Sequence, residues 1–237
     1  MKSLLALGVL AAAIVAAGVA PQPASSATGE CRGFLVCVPV AGPWVVVPTG
    51  LGVPRPKVEY QLACPRGYVV GGLDAELTSR AIDVSFTGST GSPVNPGITT
   101  SRTVVFVATY VGASSQSQTF RPHIGCIPAS GGGRRTPTSV TAVVPPGKPT
   151  VRRVRTVRVT ASVRTVVQRC GTGERLVAGS VARGFYTKKP PSAELVSTVS
   201  VTPTVRSGRV RAVVRGDDAM TTIRAVVQIS AVCAGGK

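Results

Sequence analysis

The chain is poor in the residues on which most enzyme chemistry rests. Its 237 residues include a single histidine, and aromatic residues make up only 4%. Acidic residues number nine against 27 Lys and Arg, a formal net charge of +18. One histidine rules out His-x-x-x-His metal sites, and no Cys-x-x-Cys pair stands in for them, so no structural zinc is expected. His123 lacks a Gly-x-Ser-x-Gly partner and lies just before Cys126, which points to a structural role rather than a serine triad. Gly-x-x-x-x-Gly-Lys and helix-opening Gly-x-Gly-x-x-Gly loops are missing as well, so nucleotide phosphates have no cradle. No cofactor is expected.

Long apolar runs are also scarce. The one present, Leu4 to Ala20, follows Lys2 and precedes small residues at Ser25 and Ala27. A basic start, an apolar stretch marginal for a span of about 20 residues, and small residues at the minus-three and minus-one positions read as a secretory signal cleaved after Ala27. The mature chain is therefore expected to be soluble and extracellular. All six cysteines lie beyond that point, and an even count in an exported chain reads as a disulfide framework.

Spacing narrows the pairings of those cysteines. Cys64 and Cys126 are 62 residues apart, and Cys170 and Cys233 are 63 apart. The surrounding text corresponds too. Cys64-Pro65-Arg66-Gly67 through Gly72 lies opposite Cys170-Gly171-Thr172-Gly173 through Gly179 with one inserted residue. Asp83 to Thr87 lies opposite Thr198 to Thr202, and His123 to Cys126 opposite Ser230 to Cys233. A duplication with different loop lengths explains this most simply. The expected bridges are Cys64–Cys126, Cys170–Cys233 and, by elimination, Cys31–Cys37 turning at Gly33.

Period-two alternation marks both copies as strands. Ile82, Val84 and Phe86 alternate with Asp83, Ser85 and Thr87, while Ala225, Val227, Ile229, Ala231 and Cys233 share one parity. Val210, Ala212 and Val214 alternate with Arg209, Arg211 and Arg215, although Val213 interrupts the polar face. Valine and threonine dominate and glycine and proline punctuate, so the expected fold is all-β: two tandem disulfide-stapled, β-sandwich-like repeats after a signal peptide. The divisions are signal 1–27, a Cys/Pro/Gly-rich segment 28–57, repeat domain 58–130, a Gly/Pro-rich linker 131–150 and a basic repeat domain 151–237. Both copies supplying strands to one larger sandwich is the alternative. The Cys-Pro-x-Gly opening with a late strand ending in cysteine resembles repeats of exported bacterial proteins, a resemblance that carries over no functional residue.

Charge is concentrated in the second half. Residues 28 to 133 hold seven basic and five acidic residues, a net +2; residues 134 to 237 hold nineteen and four, a net +15. From Val157 to Arg164 valines and alanine on one face alternate strictly with Arg158, Thr160, Ser162 and Arg164 on the other, which predicts one strand presenting guanidinium groups in a row, successive positions about 6.6 Å apart. With Arg152, Arg153 and Arg155 before it and Arg209 and Arg211 further on, this is the candidate site for an anionic cell-envelope polymer or membrane surface. Charges guarding an edge strand would look the same. Specific nucleic-acid binding is not expected, because the basic half offers only Phe185 and Tyr186 for stacking. The function expected is a secreted, non-enzymatic binding or structural module. Two other classes stay open: a secreted hydrolase using Asp74 and Glu76, about 6.6 Å apart on one strand face and opposite Val181 and Arg183 in the second copy, and a protein-directed inhibitor or toxin presenting Thr187 to Pro191.

Overall fold

The structure, a computed structural model, describes residues 28–50, 52–88, 101–129, 150–206 and 208–235. The signal segment 1–27 and nearly all of the linker 131–150 lie outside these residues. Within them the chain is nearly all β. The strands are β1 (Val38–Ala41), β2 (Trp44–Val47), β3 (Lys57–Ala63), β4 (Tyr68–Leu77), β5 (Ile82–Thr87), β6 (Thr103–Tyr110), β7 (Gln118–Pro128), β8 (Thr150–Arg158), β9 (Val163–Arg169), β10 (Glu174–Phe185), β11 (Val199–Arg206), β12 (Arg209–Gly216) and β13 (Ala225–Gly235). One short helix, α1 (Ala193–Ser197), starts where the Ser192 side chain accepts from the Leu195 N–H. No described helix is long and apolar enough to cross a membrane.

Three sheets result. Strands β3, β6 and β5 form one antiparallel sheet, and β9, β12 and β11 form another with β12 in the centre. The third, seven-stranded sheet runs through both halves: β7 pairs with β4 on one edge and with β1 then β2 on the other, β2 continues onto β10, and β10–β13–β8 completes it. Strand β2 shows how the sheets stack. Val45 and Val47 enter the core formed with β3–β6–β5, whereas Val46 enters the core formed with β9–β12–β11. Alternate residues of a strand point to opposite faces, so the two three-stranded sheets lie against opposite faces of the shared one.

The disulfides tie these layers together. Cys64, at the end of β3, bonds Cys126 in β7, and Cys170, after β9, bonds Cys233 in β13; Cys31–Cys37 closes a small loop in which Gly33 has a φ of 84°. All three expected pairs are present, and three disulfides are typical of extracellular or otherwise oxidising compartments. Each long loop stabilises by about 4 kcal/mol in the chain-entropy model. Gly67 and Gly173 follow the two disulfide cysteines at the same distance, both with positive φ, and each precedes a strand carrying a bulge, at Val70/Gly72 in β4 and Leu176/Ala178 in β10. The equal distances leave no room for the one-residue insertion expected in this stretch.

The first half closes an open face of the second, and residues 29–37 close one of its own. Strand β13 is buried at nine consecutive positions: Ile229, Ala231 and Cys233 enter the second core, and Gln228 and Ser230 meet the edge strand β3. There the Gln228 amide accepts from the Gln61 N–H (2.6 Å) and donates to the Gln61 carbonyl (3.1 Å), as a neighbouring strand would. Beside it Arg152 donates to Glu59 at 2.7 Å and to Ser230 Oγ at 2.8 Å. Burial pushes the Tyr60 phenol far above its usual range, with Tyr186 alongside. In the first half, the open face of β4–β7 is covered by residues 29–37. The Gly29 N–H donates to Asp74 (2.5 Å), and the Glu30 carbonyl lies over Gly72 and Gly125, where a Cβ would come within 1.8 and 2.0 Å of it.

One expected strand does not form. The alternation from Val157 to Arg164 is split: β8 ends at Arg158, the Val159 N–H donates to Ala225 (2.9 Å), Ser162 turns back on Thr160 (2.7 Å), and β9 starts at Val163 in a different sheet. The reason is the partner strand. β13 begins at Ala225, so its ladder is used up opposite Arg158, and the chain crosses over with Val159 buried in the core.

Candidate anion-binding face

The arginines singled out in the sequence have diverging fates. Arg152 is buried in the ion pair with Glu59. Arg153 grips Glu174 through Nε (3.1 Å) and Nη2 (2.7 Å), and Glu174 also accepts the Gly171 N–H at 2.6 Å. The hydrogen bond and charge of Glu174 raise the Arg153 pKa, and those same contacts hold the Glu174 carboxyl below its usual range. Arg155 and Arg158 are exposed on opposite faces of the edge strand β8. Arg164 is exposed too, but it shares the parity of the buried Val166 and so lies on the core side of β9. The predicted single row of Arg158 and Arg164 therefore does not exist.

A different row does. On β12, Val210, Ala212 and Val214 are buried, so Arg209, Arg211, Val213 and Arg215 face out. Arg209 pairs directly with Arg169 on β9 and with Arg206 on β11, which puts three exposed arginines in one line across three strands, about 4.8 Å apart per strand. Arg211 is the next outward residue on the central strand and reaches Thr165 Oγ1 at 3.5 Å. The remaining outward positions are Ser200, Thr202 and Thr204 on β11 and Val163, Thr165 and Val167 on β9. Among the described residues no outward position of these three strands is a carboxylate, and Glu174, which borders Arg169 and Arg209 at the end of the line, is paired with Arg153. Of the sequence candidates, only Arg209 and Arg211 belong to it; Arg169 and Arg206 were missed. Arg206 was legible, since two residues separate it from Arg209 and a Ser-Gly connection between valine-rich runs is a hairpin signal that sets them opposite each other. Arg169 was not, because it depends on which strand flanks β12 on its other side.

The carboxylates considered for hydrolysis are engaged elsewhere. Asp74 accepts the Gly29 and Ala75 N–H groups (2.5 and 2.7 Å). Glu76 lies 2.9 Å from Nε2 of the buried His123 and 3.9 Å from Arg121, and Glu30 approaches the other histidine nitrogen at 3.7 Å. The Nε2 contact is close but too poorly aligned for a hydrogen bond. His123 is thus a packed residue held between two acids under residues 29–37. Val70 lies opposite Cys126 as Leu176 does opposite Cys233, and the same register sets Asp74 opposite His123 and Ser180 opposite Ser230, one residue from the approximate counterpart Val181. The one group of metal-ligand type among the described residues, Cys170, Glu174 and Cys233, has both sulfurs in a disulfide and its carboxylate on Arg153.

No family model, curated protein or solved structure matches the chain.

Proposed function

We propose that this is an exported, non-enzymatic binding protein whose outer β9–β12–β11 face holds an anionic cell-envelope polymer. The observation carrying the reading is the cross-strand line of Arg169, Arg209 and Arg206, extended by Arg211. Like charges directly opposite one another in a sheet destabilise it. Protection against edge pairing does not account for the line, because Arg209 and Arg211 sit on the central strand. An anionic polymer laid across the strands offsets the repulsion, and guanidinium groups make paired hydrogen bonds to its carboxylates or phosphates.

The same reading includes two copies of one sandwich-like, disulfide-stapled unit. Its support is the shared order of parts: β3–β6–β5 matches β9–β12–β11, β4–β7 matches β10–β13 bulge for bulge, and β1/β2 flank β7 as β8 flanks β13. Only the second copy carries the arginines.

The test titrates the whole chain, because β2 pairs with both halves, with a teichoic-acid-like polymer at about 50 and 200 mM salt. Binding is expected to weaken steeply with salt, and Arg→Gln at Arg169, Arg206, Arg209 and Arg211 together to cost more than tenfold in affinity. Arg→Gln at Arg155, Arg158 and Arg164 removes three charges outside the face and is expected to cost less. Equal losses for the two sets, salt-independent binding, or preference for anionic vesicles over the polymer would overturn the proposal.

A further inference from the structure

A second cation-bearing site lies between the halves, away from the arginine face. Strands β2, β3, β10 and β11 border a partly open cleft of about 360 Å³, with Val46, Val58, Val181 and Val201 among its walls and Arg183 among its polar lining. Its size falls near the lower end of the usual range for small-molecule sites, roughly 300–1,000 Å³.

Arg183 is the unusual member. Burial lowers its pKa, so the guanidinium is partly stripped of water. Its Nη1 donates to the carbonyls of Val196 (3.2 Å) and Val199, which fastens α1 and the start of β11. Nε and Nη2 donate to no described residue, and no carboxylate among the described residues lies within ion-pair distance. A desolvated charge without a counter-ion is costly, and a guanidinium with free donors in a valine-walled cavity is matched by a carboxylate attached to an apolar body. Lys57, also on the lining, is 63% exposed and lies 3.5 Å from Glu59, adding a second cation.

We infer that this cavity binds a small amphipathic monocarboxylate, its carboxylate on Arg183 and its hydrocarbon among Val46, Val58, Val181 and Val201. A purely apolar ligand leaves the guanidinium uncompensated.

Calorimetric titration of the whole chain with octanoate, octan-1-ol and octylammonium tests this. Octanoate is expected to saturate a single site at least tenfold more tightly than octanol, with no binding of octylammonium. Arg183→Gln is expected to abolish the octanoate preference. Because that change also removes two carbonyl contacts and can loosen α1, Val181→Phe provides an independent variant that fills the cavity and leaves the guanidinium in place; it should block octanoate. Arg209→Gln, on the other site, should leave octanoate binding unchanged. Equal affinity for octanol and octanoate, no saturable octanoate binding, or octanoate binding that survives Val181→Phe would overturn the inference.

Discussion

Replacing Gly72 by alanine tests how residues 29–37 are held on β4–β7. The added methyl would sit 1.8 Å from the Glu30 carbonyl oxygen, a backbone atom that no rotamer change can move. Gly72 has no positive φ, so alanine is otherwise compatible with the strand. The segment must therefore lift, losing the Gly29 hydrogen bond to the Asp74 carboxylate and the cover over His123. A hydrogen bond to a charged group contributes about 1.5–3 kcal/mol, so the expected cost is about 2–3 kcal/mol, or roughly 4–12 °C in Tm for a chain of this size. Gly125→Ala meets the same oxygen at 2.0 Å and should cost the same. The double variant should cost little more than either single one, since the segment can lift only once. Gly29→Ala is the control: its methyl would lie 3.6 Å from Asp74, an ordinary contact. Guanidinium denaturation measures the stability, and trypsin cleavage after the exposed Arg32 reports the lifting. A Gly72→Ala protein within about 0.5 kcal/mol of the parent, unchanged cleavage at Arg32, or additive losses in the double variant would refute the reasoning.

Cys64→Ala/Cys126→Ala should lower stability by about 4 kcal/mol and Cys31→Ala/Cys37→Ala by about 2, following loop length, as read by denaturant titration. Arg152→Met alone should cost about 3–5 kcal/mol, and Arg152→Met/Glu59→Leu should recover most of it, because the pair is buried and an apolar replacement of both partners removes the need for compensation; a double-mutant cycle with zero coupling would contradict this. The Glu174 carboxyl, held below its ordinary value of 4.5 by Arg153 and the Gly171 N–H, contributes stability that is fully present above that value and is lost as pH falls through the depressed pKa. Glu174→Gln should therefore flatten the acid limb of the stability curve, and NMR titration of the carboxyl should show the lowered midpoint directly.

Local pattern was enough to settle much of this protein. Period-two alternation with valine and threonine specified strands, and two nearly equal cysteine spacings specified the bridges, because both signals depend on neighbours in the chain or on one repeated distance. The Arg206–Arg209 opposition was equally local, being set by a two-residue hairpin. Other features depended on which strand meets which. The run Val157 to Arg164 reads as one strand until β13 proves to end its ladder opposite Arg158. Arg152 reads as a free surface cation until β3 brings Glu59 to it, and Arg169 joins the exposed line only because β9 flanks β12. Alternation tells which residues share a face of a strand. Only the tertiary structure decides whether that face meets water, a carboxylate or a second sheet, because those partners arrive from far along the chain, 93 positions away for Arg152 and Glu59.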